Sequence, residues 1–176
     1  MSDTHSLHES EAGVETEADA DQGQIPAIFN EWGENVDAAT FMQILEMDDD
    51  EDEKEFSKSI VLGFFDQAEA TFIKMDDALE SKDLAALSSL GHFLKGSSAT
   101  LGLSKVMNSC EKIQHFGQKK DAEGINDEKD EDKCLGWIEE TFNKLKKEYD
   151  EVVRILKTYY GIKPPSETAP EEDSKA

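Results

Sequence analysis

Positive charge is scarce in this chain: 18 Lys and Arg stand against 41 Asp and Glu in 176 residues, a formal net charge of −23. Such a surface repels phosphate backbones and anionic headgroups, so no nucleic-acid or membrane-surface partner is expected. Long apolar runs are missing too. No stretch approaches the ~20 residues that a membrane helix needs, and the opening MSDTHSLHES has neither the basic nor the apolar region of a secretory signal. Cysteine is limited to Cys110 and Cys134, outside any CxxC or Cys/His cluster, which argues for reduced thiols rather than a disulfide or a metal site. These absences predict a soluble intracellular protein, cytoplasmic with access to the nucleus.

What is present fits one compact domain with polar extensions, 37% hydrophobic and 34% charged. Residues 1–24 hold seven acidic side chains, no Lys or Arg and almost nothing apolar, so they are expected to form a disordered acidic tail. Gly161, Pro164 and Pro165 end a helical pattern, and 162–176 read as a second tail. The domain is therefore placed at 25–161.

Within it, apolar residues recur in alternating steps of three and four, the period of one helix face. A short first helix is expected over about 37–47, with Asn35 or Asp37 to cap it. A second runs over about 53–80 with the stripe Val61, Phe65, Ala68, Phe72, Met75 and Leu79. A further stripe, Phe56, Ile60, Phe64 and Gln67, is rotated about 100° from the first, so the first helix or a partner protein has to cover it. A third helix over about 83–101, a fourth over 104–118 and a last one ending near Tyr160 complete an all-α, antiparallel four-helix bundle, with the short N-terminal helix lying across it.

The stretch LGHFLKGSSATLG belongs to the third helix. Leu84, Leu87, Gly91, Leu94, Ser98 and Leu101 define its buried side, and His92, about 200° from Leu94, projects the other way. Around it on the surface lie Ala85, Ser88, Ser89, Lys95, Gly96 and Ala99, nearly all small. A helix-interior glycine costs about 1 kcal/mol relative to alanine, so Gly96 implies a function for the cleared face. Most exposed helix histidines are merely solvated, but here another protein can bring a bulky group up to the ring, with Lys95 supplying a cation. Imidazoles keep a lone pair available near neutral pH and are competent nucleophiles towards phosphorus. His115, without a cleared face, is expected to be solvated or capping.

HFLKGSSATLGL, followed by SCEKIQHFGQKKD, resembles the histidine-containing phosphotransfer family, and in particular its fungal osmosensing phosphorelay members. The resemblance takes in MDDDEDEKEFSKSIVLGFFDQAEATF and so covers about residues 37–120. It implies that His92 is phosphorylated, that Lys95 and Gly96 are its neighbouring lysine and small residue, and that Gln114 lies beside the imidazole. It further implies that receiver domains dock over the first helix and the start of the second, nominating Ile44, Met47, Phe56, Ile60 and Gln67, with Ser88 and Ala99 on the histidine helix. The fungal pattern carries an arginine where this chain has Gln118, leaving Lys119 or Lys120 as candidate substitutes.

The reading that follows is a phosphoryl carrier between the receiver of a hybrid histidine kinase and downstream response regulators. It would act as a monomer, bind no cofactor and rely on Mg²⁺ in the partner's receiver, consistent with the lack of a GxxxxGK[ST] loop. A carboxylate metal bundle would need inward Glu-x-x-His pairs, and none occurs in the expected helices. A histidine-kinase dimerisation domain would need an attached ATP-binding domain, for which there is no room. The surviving alternative is a non-catalytic helical adaptor in which His92 is incidental.

Overall fold

The computed structural model describes residues 26–162; the expected tails lie outside them except for Ile162. The chain divides into two compact units, 1–31 and 32–176. Of the first, the described part opens the short helix α1 (Ile28–Trp32), whose first amides, of Phe29 and Asn30, bond to the carbonyls of Pro26 and Ala27.

The second unit continues through a 3-10 turn (Gly33–Asn35) into α2 (Ala38–Leu45), α3 (Glu55–Glu80), α4 (Leu84–Thr100), α5 (Ser104–Gly117) and α6 (Glu131–Tyr159). No strand occurs among the described residues. Aspartates start three of these helices by accepting otherwise unpaired backbone amides: Asp37 from Thr40, Asp83 from Ala86 and Asp130 from Lys133. For α3 the capping carboxylate comes from further back. Lys54 sits in the left-handed region at φ 50°, and Asp48 reaches across the intervening turn to the Ser57 amide at 2.8 Å and hydroxyl at 2.7 Å. The acidic run therefore forms the turn before α3, which begins two residues later than its charges suggest.

Side-chain pairings fix the expected antiparallel bundle. Phe65 meets Tyr149 and Phe72 meets Phe142 between α3 and α6, at 6.0 and 5.6 Å between ring centroids. Ser109 donates to Glu148 at 2.6 Å, and Phe116 packs on Trp137 between α5 and α6. The Leu84, Leu87, Gly91, Leu94, Ser98 and Leu101 stripe of α4 is buried along its whole length, as are Val106, Cys110 and Ile113 of α5. A buried Leu-to-Ala change in such a core costs about 2–5 kcal/mol.

α2 lies across one end of this bundle. The Asp37 amide donates to the Gly102 carbonyl at 2.7 Å in the α4–α5 turn, and Phe41 stacks edge-on to Trp32 and to Tyr159 at the end of α6. Gly102 has φ +74°, and a Cβ there would stand 2.9–3.2 Å from Thr40 and Asp37, so both backbone and space require glycine. The second apolar stripe of α3 is split by this arrangement. Phe64 turns inward onto Phe65 and Tyr149, whereas Phe56 stays 43% exposed. Ile44 is only 7% exposed. Its nomination as a docking residue is corrected, because α2 buries Ile44 with Phe41 on its inner face.

The loop expected after the fourth helix is ordered. The Asp121 carboxylate accepts from the Ile125 amide and Asn126 side chain, and the Glu128 amide bonds to the Lys119 carbonyl at 2.8 Å. His115 holds it in place, with Nδ1 2.7 Å from the Ala122 carbonyl and its ring against Gly124. That histidine is neither simply solvated nor a helix cap; it ties the loop to α5. Cys110 and Cys134 are buried free thiols.

Candidate functional site around His92

His92 projects from the exposed side of α4, opposite Leu94, which is fully buried. Among the described residues no hydrogen bond or ion pair engages its ring. A Cβ built on Gly96, one turn further, meets nothing within 4 Å. Ala85, Ser89 and Ala99 are exposed and Ser88 half-buried around the ring, so the cleared face read from the sequence is present. Phe93, 50% exposed, stands beside it.

The two flanks of this face are built differently. Towards α5, two glycines let the backbones close up: a Cβ on Gly91 would lie 2.8 Å from the Cys110 carbonyl oxygen and 3.0 Å from the Gln114 amide, and one on Gly117 would lie 2.7 Å from the Ser88 amide. This close approach sets Glu111 and Gln114, which share a face of α5, alongside α4. Lys95 Nζ is 3.2 Å from Glu111 Oε2, both side chains being part-exposed. Gln114 Oε1 is buried without a hydrogen-bond partner among the described residues, so this flank holds an acceptor with unused capacity, a state that ordinarily costs about 1–3 kcal/mol.

Towards α3, Ser97 Oγ donates to Gln67 Oε1 at 3.2 Å, across a shallow groove lined by Ile60, Gly63, Gln67, Ser97 and Thr100. Beyond it stand Phe56 and, at the end of α2, Met47 with 62% of its surface exposed. Ile60 is half-buried and Gln67 exposed. The structure thus exposes His92 and Gly96 on the outer side of α4 with Lys95 part-exposed beside them, sets Gln114 on the α5 flank, leaves Met47, Phe56 and Gln67 exposed and Ile60 half-buried, and buries Ile44.

Neither lysine proposed as a substitute for the missing arginine is at liberty. Lys119 Nζ pairs with Glu131 at 3.2 Å and Lys120 Nζ with Asp127 at 2.6 Å, both on the loop side. Sequence reasoning passed over Glu111 and Ser97, and read Gly91 and Gly117 only as members of buried stripes, not as the points where α4 and α5 close up. The spacing of Glu111 to Gln114 could have flagged the first, but its partner depends on how closely α4 and α5 approach. Among the described residues no group of three or more His, Cys, Asp and Glu could hold a metal ion, and no helix is long and apolar enough to cross a membrane.

A helical bundle presenting a bare histidine on a cleared helix face is the arrangement of histidine-containing phosphotransfer domains. The Hpt domain family model matches residues 59–154, over half of the chain, and the protein belongs to that family. It is 46% identical over 125 residues to multistep phosphorelay regulator 1 of Schizosaccharomyces pombe, covering 71% of this chain and 42% of that protein. It is 55% identical over 84 residues to phosphorelay intermediate protein YPD1 of Candida albicans, covering 48% of this chain and 45% of that one. The matched region thus spans less than half of either relative. Among solved structures it resembles Saccharomyces cerevisiae Ypd1 in co-crystals with the receiver domain of its downstream response regulator Ssk1, with TM-score 0.64, 33% identity, and 79% of this chain and 99% of that chain covered.

Proposed function

We propose that this protein is a phosphorelay intermediate that takes a phosphoryl group from a receiver-domain aspartate onto His92 and passes it to an aspartate of a second response regulator. The observation that carries this reading is the unengaged imidazole of His92 above the open space at Gly96. In the first transfer a ring nitrogen lone pair forms the N–P bond as the P–O bond to the donor aspartate breaks and its carboxylate leaves; in the second, a carboxylate oxygen of the other receiver forms the new P–O bond as the N–P bond breaks and the ring nitrogen recovers its lone pair. The proton on the other ring nitrogen stays in place. The transferring group's charge would be neutralised by Mg²⁺ held in the receiver's own acidic pocket, so this chain contributes a nucleophile and a surface, and binds no cofactor itself.

In this reading Lys95 faces the phosphoryl oxygens, Gln114 orients the ring, and Gly96 admits the receiver backbone. Met47, Phe56, Ile60 and Gln67, with Ser88 and Ala99, form the docking surface for receivers of a hybrid histidine kinase and of downstream regulators. The likeness to Ypd1, crystallised with a receiver domain, supports that assignment. An osmosensing role for a monomer working in cytoplasm and nucleus belongs to the same proposal.

The test is incubation of the full chain with a phosphorylated receiver. Acid-labile phosphate should appear on His92, be chased onto a second receiver, and be absent in His92→Gln. Tight binding with an unmodified His92 would leave only an adaptor.

A further inference from the structure

The cation nearest His92 already has a partner. Lys95 follows His92 by about one turn, and its Nζ bonds to Glu111 of α5 at 3.2 Å. Two cations after α5 are occupied away from the ring, Lys119 by Glu131 and Lys120 by Asp127, and Lys112 of α5 is exposed. Gln118 is uncharged. The charged pair that joins the His92 helix to α5 is Lys95 with Glu111.

We propose that Glu111 is a positioning residue that competes with a phosphoryl group on His92 for Lys95 Nζ, and so keeps the phosphohistidine a ready donor instead of a long-lived product. The inference rests on the relay reading and adds a residue to it. The pair is 33% and 40% exposed, and ion pairs so exposed are weak. A phosphoryl group with close to two negative charges can thus draw the ammonium away, but only in part while the carboxylate remains. Lys95 stays shared, and the N–P bond is shielded less than a lysine free of other partners would shield it.

Replacing Glu111 with Gln removes the competing charge and keeps the shape. Coulomb's law at a solvent-like dielectric puts the gain at roughly three- to fivefold in phosphohistidine lifetime. The gain should vanish without Lys95, since it works through that side chain.

The experiment loads His92 of the full chain with phosphoramidate, a small-molecule phosphoryl donor, so that no receiver is needed. Phosphohistidine decay is then followed by ³¹P NMR or phosphate-affinity gels for wild type, Glu111→Gln, Lys95→Ala and the double variant, with thermal unfolding to confirm the fold. The expected order is Glu111→Gln slower than wild type, Lys95→Ala faster, and the double variant within about twofold of Lys95→Ala, as coupled sites require. An unchanged or shortened lifetime in Glu111→Gln overturns the proposal, as does a full gain that persists without Lys95. If phosphoramidate loads His92 but no receiver accepts the group, the relay reading fails while the competition for Lys95 stands.

Discussion

Gly96 offers a test in which stability and function should move in opposite directions. Glycine inside α4 lowers helix stability by about 1 kcal/mol relative to alanine. A Cβ at Gly96 meets nothing within 4 Å, so no collision offsets the gain when it is replaced. Gly96→Ala and Gly96→Gln should each raise stability by about 0.5–1 kcal/mol, or about 2–4 °C in Tm for a domain of this size. Gly91, five residues earlier in the same helix, should behave oppositely, because its Cβ would stand 2.8 Å from the Cys110 carbonyl oxygen, and backbone cannot swing aside. Gly91→Ala should cost about 1–3 kcal/mol by forcing α4 and α5 apart. In the proposed complex the glutamine of Gly96→Gln would fill space that the receiver needs. An overpacking cost of the same 1–3 kcal/mol corresponds to a roughly five- to 150-fold loss in the rate of transfer from a phosphorylated receiver. Urea unfolding and receiver-to-His92 transfer on the same samples decide the matter. Wild-type transfer by a stabilised Gly96→Gln protein would refute the steric reasoning, and a destabilised Gly96→Ala would refute the claim that the space is open.

Asp48→Ala removes the acceptor for the Ser57 amide and hydroxyl; loss of such a cap should lower urea-unfolding stability by about 1–2 kcal/mol, with Asp48→Asn recovering part of it. A change below about 0.5 kcal/mol would show that Tyr160, which donates to Ser57 Oγ at 2.7 Å, holds the end of α3 without it. Burial pushes the Cys110 thiol well above its ordinary 9.0 and the Tyr160 hydroxyl up to about 12, and burial with the Glu69 hydrogen bond raises Tyr149. The folded chain thus keeps protons that the unfolded chain releases, so this stability is intact below about pH 9 and falls as pH rises, the thiol contributing first and the phenols from about pH 10. A urea midpoint that holds steady through pH 11 would contradict that ordering. Gly124→Ala places a Cβ 2.8 Å from His115 Nε2 at a φ of +74°; hydrogen exchange should quicken at 121–126 and stay unchanged in α4, and faster exchange in α4 would mean that the loop is not separately held.

The helices were legible because each is amphipathic. The steps of three and four in α3, α4, α5 and α6 mark the faces that are buried, and Asp37 and Asp83 stand where capping oxygens are needed. His92 could be placed on the outside from its angle to Leu94 alone. The start of α3 was harder to read, since its cap comes from Asp48, nine residues before Ser57, and no local pattern links the two. Ile44, nominated for docking by the resemblance, is buried, and Phe64 was placed on an outer stripe for a related reason. Periodicity says that a residue is apolar and on a given face, but not which neighbour that face meets. His115 shows the same limit: its partner, the Ala122 carbonyl, belongs to a loop whose path is set by its own hydrogen bonds.

Local chemistry along the chain determined the helices, the outward histidine and the small residues around it, because helical geometry converts residue spacing directly into direction. Which groups share that histidine's surroundings was settled only by packing. Gly91 and Gly117 allow α4 and α5 to approach until Glu111 reaches Lys95 and Gln114 Oε1 loses access to water. Those contacts join residues on separate helices, and their existence depends on the distance between two backbones, a quantity that no single helix encodes.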